Sequence, residues 1–216
     1  MATTLAEPET RCETLADLLE RPGSIPPDRV LLHPWPGTAT EEDLLRLPHD
    51  IQRLCELVDG TLVVKAIGAP ESMMAFMFGG FLLPYLDANP IAVALGPDGH
   101  TRYFGNQIRM PDVAVILRSR LPNGKLPKKQ ICPVPPDLAV EILSPGNTRK
   151  EIKRKLREYF DSGVRLAWVV DPRKRMVRVH TSPTTFTELT EDDTLNGDDV
   201  LPGFTVSIRE WFAKSE

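Results

Sequence analysis

Two carboxylates stand in this sequence where packing alone gives no reason for a charge. In DLAVEIL, Leu138, Val140 and Ile142 alternate with Ala139, Glu141 and Leu143, a run apolar on both faces that belongs to a central strand covered on two sides. An ionised Glu141 there needs a cation or a hydrogen-bond network beside it. Asp112 poses the same problem: it follows Pro111, opens the apolar run VAVIL and shares a face with Ala114 and Ile116. If the two strands are neighbours, Asp112 and Glu141 converge at one end of a sheet and offer oxygen ligands to Mg²⁺ or Mn²⁺, a combination suited to phosphodiester hydrolysis. Lys155 is the third element. At about 100° per residue it falls just outside the helical stripe of Ile152, Leu156 and Tyr159, so its stem can follow the apolar face while the ammonium reaches the sheet end. There it could stabilise developing negative charge or orient the attacking water, whereas Arg154 and Glu158 point away. Glu56, a lone carboxylate among apolar neighbours in RLCELVDG, is a fourth candidate, to complete the metal shell.

Each of these residues also has a purely structural reading. Asp112 could cap a turn at a strand entry, Glu141 could form a buried ion pair with Lys155 itself, Lys155 could be a snorkelling helix lysine, and Glu56 could occupy an exposed hairpin position. Ser144 in SPGNT has neither a GxSxG frame nor a nearby histidine, so it reads as a strand-to-helix turn and serine hydrolysis is rejected.

The rest of the composition narrows the chemistry. Cys12, Cys55 and Cys132 form no CxxC pair, and His33, His49, His100 and His180 form no HExxH or HxxxH pair; zinc sites and disulfide frameworks are disfavoured, and any metal must be held by oxygen. A formal net charge of −4 argues against bulk attraction to nucleic acid. Local basic stretches remain: Arg118 to Lys129 holds five basic and no acidic residues, and Arg149 to Arg157 holds six against Glu151 alone. Solvated faces are their commoner meaning. There is no apolar run near 18 residues and no basic-then-apolar N-terminus, which predicts a cytoplasmic protein without a membrane segment.

Positioning these residues requires a mixed fold. Residues 1–37, rich in proline, read as an N-terminal arm with little structure of its own, packing on a neighbour. The folded domain then spans 38–216. Thr38 and Glu41 have capping-box spacing ahead of EEDLLRL, and Asp59-Gly60 marks a hairpin. Residues 71–88 form a helix that Gly79-Gly80 and Pro84 should distort, with Met and Phe residues suited to core or a dimer face. Strands are expected at 102–109, 112–118 and 137–143, the basic loop 119–136 lying between the last two. A helix from Thr148 to Asp161 carries a capping box from Thr148 and Glu151 and a stop at Gly163. The hairpin LAWVVDPRKRMVRVH and the amphipathic SIREWF end the chain. The order predicts an α/β domain with a curved mixed sheet flanked by helices.

Taken together, MPD at 110–112, VEILSP at 140–145 and KRKLREY at 153–159 resemble the Uma-two family of putative restriction endonucleases, within the PD-(D/E)XK nuclease-like superfamily. The resemblance covers about residues 38–212, including ATEEDLLRLP, the ELVDG segment, GVRLAWVVDPRKRMVRVH and VLPGFTVSIREWF. It implies a restriction-endonuclease-like core, an oxygen-ligated divalent metal (Mg²⁺ or Mn²⁺), nucleic acid (DNA) as substrate and a homodimer. It places Glu56, Asp112, Glu141 and Lys155 at the matching positions. The chain departs from the pattern twice. The superfamily's lysine, two residues after the second acid, is Leu143 here, so Lys155 must serve instead; and a histidine that many relatives carry early in the helix after the first hairpin is replaced by Glu71-Ser72-Met73-Met74. The expected function is a metal-dependent endonuclease; the alternative is a catalytically inactive nucleic-acid-binding or dimerisation module that keeps the fold.

Overall fold

A computed structural model describes residues 14–20, 23–66 and 68–216; residues 1–13 of the expected arm, with Cys12, and residues 21, 22 and 67 lie outside the described residues. A short helix α1 (Leu15–Glu20) precedes α2 (Glu41–Arg46). The capping box of α2 comes from Thr40 and Asp43, two residues later than expected, because the Thr38 hydroxyl already donates to the Trp35 carbonyl at 2.7 Å in the preceding turn. After α3 (His49–Gln52) the expected hairpin forms from β1 (Cys55–Val58) and β2 (Thr61–Val64). Asp59 and Gly60 turn it with φ of 45° and 67°, the two left-handed positions a type I′ turn demands.

Helix α4 (Ala69–Ala88) runs unbroken through Gly79, Gly80 and Pro84, against expectation. The hydrogen bond that Pro84 cannot donate falls on the exposed side, where the Gly80 carbonyl meets water. On the buried side Phe78 anchors the helix, its ring 5.6 Å from Trp168 and 4.9 Å from Trp211. Strand β3 (Ala92–Leu95) follows, then β4 (Thr101–Arg102) and β5 (Ile108–Arg109). These last two replace one expected strand, which breaks where Gly105 and Asn106 take φ of 70° and 61°. The remaining elements are β6 (Val113–Leu117), β7 (Leu138–Ile142), α5 (Arg149–Asp161), β8 (Leu166–Asp171), β9 (Met176–His180), β10 (Phe186–Thr190), β11 (Thr194–Asn196), β12 (Thr205–Ser207) and α6 (Ile208–Lys214).

The α/β fold is built on an open six-stranded mixed sheet, ordered β10-β9-β8-β7-β6-β3. Its one parallel pair, β7 with β8, is joined by α5, since parallel neighbours need a crossover. Period-2 alternation sorts β7 by face. Leu138, Val140 and Ile142 join Trp168, Phe78 and Trp211 in the main core under α4 and α6, while Ala139 packs with Tyr159 of α5, on the face that Glu141 shares. A second, four-stranded antiparallel sheet, β2-β1-β5-β4, supplies further residues to that face. Strands β11 and β12 form a separate pair.

Residues 23–30 are fastened to the start of α5. The Arg29 guanidinium makes two hydrogen bonds to Glu151, at 2.8 and 3.0 Å, and the Thr148 hydroxyl donates to the Gly23 carbonyl at 2.7 Å. A Cβ on Gly23 would come within 2.7 Å of the Glu151 Cα, so only glycine permits this approach.

Candidate active site

The four residues singled out in the sequence fall in one buried cluster between α5 and the two larger sheets. The antiparallel register pairs Val113 with Val140, which sets Asp112 opposite Glu141 on one face, where directly opposed side chains are neighbours. Asp112 also closes the ladder. Its Oδ2 accepts from the Ile142 N–H at 2.6 Å and its own N–H donates to the Val140 carbonyl at 2.8 Å. From α5, the Lys155 ammonium lies 3.1 and 3.2 Å from the two Glu141 oxygens and 3.2 Å from Glu56 Oε1. Glu56 is thus linked to the strand pair through Lys155. Among the described residues no three carboxylate, histidine or cysteine side chains are already gathered as a metal cage.

Sequence reasoning missed the cations that complete the cluster. Lys65, just beyond β2, sets its ammonium 2.8 Å from Asp112 Oδ1. Arg109 of β5 donates to Glu56 at 2.9 Å and to Glu158 at 2.8 Å. Tyr159 donates to Glu141 Oε1, and the Tyr103 ring lies 4.9 Å from that of Tyr159. The signal that found Glu141 points to Lys65, a charge in the apolar run TLVVKAI, but not to Arg109 in NQIRMPD. Glu158, expected to point away, instead meets Arg109, while Arg154 pairs with Asp59 at 2.7 Å. The reason is the second sheet, which covers the flank of α5 that a single-sheet picture leaves to solvent.

Burial sets the electrostatics. Arg109 and Glu56 are 0% exposed, and Lys155 is 2% exposed. Burial alone would raise the Glu56 carboxyl, but Lys155, Arg109 and the Met110 N–H together hold it well below the usual carboxylate range. For Glu141 the balance goes the other way: burial, with the negative charge of Asp112, outweighs Lys155 and raises it. Burial opposes the charge on Lys155, yet Glu141 and Glu56 raise its pKa, so the ammonium stays protonated. Burial and Glu141 push the Tyr159 hydroxyl well up, keeping it a donor.

The donor set fits a hard divalent cation in kind: carboxylate oxygens, with no soft ligand among them. Glu56, Asp112, Glu141 and Glu158 face Lys65, Arg109 and Lys155, and the outer Arg154–Asp59 pair leaves that excess of one negative charge unchanged. Among the described residues the Tyr103 hydroxyl and Arg109 Nη2, two donors buried beside the carboxylates, have no hydrogen-bond partner; they could donate to water held on a bound ion.

The basic loop after β6 starts from the end opposite Asp112, a strand of five residues at about 3.4 Å each away. Leu143, at the superfamily's lysine position, lies on the Glu141 face and packs against Leu156 of α5.

A family model described as Uma2, putative restriction endonuclease, matches residues 41–209. Among solved structures the fold is similar to the crystal structure of a putative nuclease belonging to DUF820 from Anabaena variabilis ATCC 29413, with a TM-score of 0.71, 21% identity, and coverage of 82% of this chain and 99% of that one. No curated protein matches the chain.

Proposed function

Because the chain belongs to the Uma2 family of putative restriction endonucleases, we propose that it is a metal-dependent endonuclease acting on DNA, with Glu56, Asp112, Glu141 and Lys155 as its working residues. The observation that carries this reading is the opposition of Asp112 and Glu141 across adjacent strands, with the Lys155 ammonium 3.1 Å from the second carboxylate. Asp112 and Glu141 would hold Mg²⁺ or Mn²⁺, with Glu56 as the third carboxylate of the shell. The ion would supply Lewis-acid activation of water and charge neutralisation at the phosphate. Lys155, held as a cation by Glu141 and Glu56, would offset charge building on the attacked phosphate. Tyr159 holds the Glu141 carboxylate in place by donating to Oε1, and Lys65 does the same for Asp112 Oδ1.

Calorimetric titration of Mn²⁺, followed by nicking of plasmid DNA, tests the reading without knowledge of the recognition sequence. Wild type should bind and nick, and Asp112→Ala should do neither. Unchanged nicking by Asp112→Ala overturns it.

A second reading has its own support. Every carboxylate oxygen of Asp112, Glu56 and Glu141 already has a cationic, hydroxyl or backbone N–H partner, as in a purely structural ion-pair network. A noncatalytic nucleic-acid-binding module of this kind binds in a salt-sensitive manner and cleaves with no divalent ion.

A homodimer accompanies either reading. Met73, Phe76 and Leu83 project from α4 at 39%, 76% and 58% exposure, and around Gly79 and Gly80 the surface is open. This apolar, small-residue face suits a second copy of the same helix.

A further inference from the structure

Between α5 and the β8–β9–β10 edge of the main sheet runs a groove of about 1290 Å³. Its floor includes Leu143 and Val169, on the same sheet face as Glu141, and Leu143 stands two residues beyond that carboxylate. Arg149, Lys153 and Arg157 line one wall at intervals of four residues, which stacks them along one side of the helix. Arg173 and Lys174, from the β8–β9 turn, line the other. Among the described residues these five, like Lys125, Lys128 and Lys129 of the basic loop, have no ion-pair partner. Asp161 and Asp171 are the acidic side chains of the lining. The groove is therefore positive within a chain whose net charge is −4.

The far end of the groove carries an aromatic shelf. Phe186, 43% exposed, has its ring centroid 4.9 Å from that of His180, the two planes tilted by 37°, and lies under the Arg178 guanidinium at 5.3 Å. His180 is only 4% exposed, and its Nδ1 has no hydrogen-bond partner among the described residues.

We propose that this groove binds one nucleic-acid strand, its phosphates on the α5 and β8–β9 cations and one unpaired base on Phe186, leading the backbone past Leu143 toward Glu141. Cations that follow a backbone, combined with an aromatic face that takes a base, are the two parts of single-strand recognition. This deepens the endonuclease reading by naming the form of the substrate at the site and the path it follows. The stripe on α5 that looked like a solvated helix face is, on this account, one wall of the path.

The test is fluorescence anisotropy of a labelled single-stranded oligonucleotide and its blunt duplex, in chelator so that nothing is cut. The single strand should bind more tightly to wild type, and affinity should fall about 100-fold between 50 and 200 mM salt if five phosphates are neutralised. Lys153→Glu with Arg157→Glu should weaken binding at least tenfold, and Phe186→Ala about tenfold. These are exposed positions, so the fold should survive, as circular dichroism can verify. Lys128→Glu with Lys129→Glu, in the basic loop, should bind as wild type, and Asp112→Ala should still bind. Groove variants that bind like wild type, no binding of either oligonucleotide, or a preference for duplex untouched by Phe186→Ala overturn the proposal. If such variants bind and cut normally when Mn²⁺ is added, only the groove falls. If the groove binds as described but wild type cuts nothing with Mg²⁺ or Mn²⁺, the groove stands and the endonuclease reading falls.

Discussion

The ammonium of Lys155 lies 3.1 and 3.2 Å from the two oxygens of Glu141, fourteen residues earlier in the chain. One side chain thus neutralises the charge that the central strand could not otherwise bury, and does so from the helix that the parallel crossover requires. Lysine here is tied to fold and chemistry together, so its removal should act on both.

Lys155→Met leaves Glu56 and Glu141 without their shared cation in a buried setting, where breaking such a pair costs about 3–5 kcal/mol. Urea denaturation should show that loss at neutral pH. A variant as stable as wild type would mean that water or a neighbouring arginine takes the ammonium's place.

Asp112→Asn retains an oxygen able to accept from the Ile142 N–H but loses the negative charge. The folded state should persist while Mn²⁺ heat and plasmid nicking both disappear. Retention of the full metal isotherm would exclude Asp112 as a ligand.

The placement of the two strand carboxylates was largely legible in the sequence, because Asp112 and Glu141 are charges inside strands that period-2 alternation identifies. Strand β7 and helix α5, with its box from Thr148 and Glu151, formed as the pattern required. The cations were less visible. Lys65 and Arg109 neutralise these carboxylates from a separate sheet, and pairing between β1 and β5 rests on contacts about fifty residues apart, Leu57 with Ile108, for which local periodicity has no signature. Glu158 was misread for the same cause. The 102–109 strand failed at Gly105, where turn geometry prevailed over the apolar residues on either side.

On the dimer face, Phe76→Glu together with Leu83→Glu places two carboxylates where identical helices would meet. Light scattering should find wild type at twice the 24.1 kDa chain mass and the variant at the chain mass, with unchanged thermal unfolding of the monomer core. A monomeric wild type would remove the basis for this interface.

Burial, with the nearby positive charge of Arg178, lowers the His180 pKa below its ordinary value, against an opposing pull from the Ser182 backbone. A depressed folded value means the neutral ring is the stabilising form. Its contribution is complete above about pH 6.5 and is lost as pH falls through that value toward the folded one. His180→Gln should therefore flatten the acid side of the stability profile below about pH 6.5, measured by urea midpoints. An unaltered slope would show that the ring protonates as readily in the fold as in water.

The clasp between Arg29 and Glu151 joins the segment that the family model matches to a residue outside it. The matched segment begins at residue 41, yet the carboxylate that caps the Lys155 helix is neutralised by an arginine twelve positions before it. The helix that carries Lys155 is thus braced by a residue outside the matched segment. Changes around Arg29 would then retune how firmly that lysine is held without touching a single residue of the carboxylate pair.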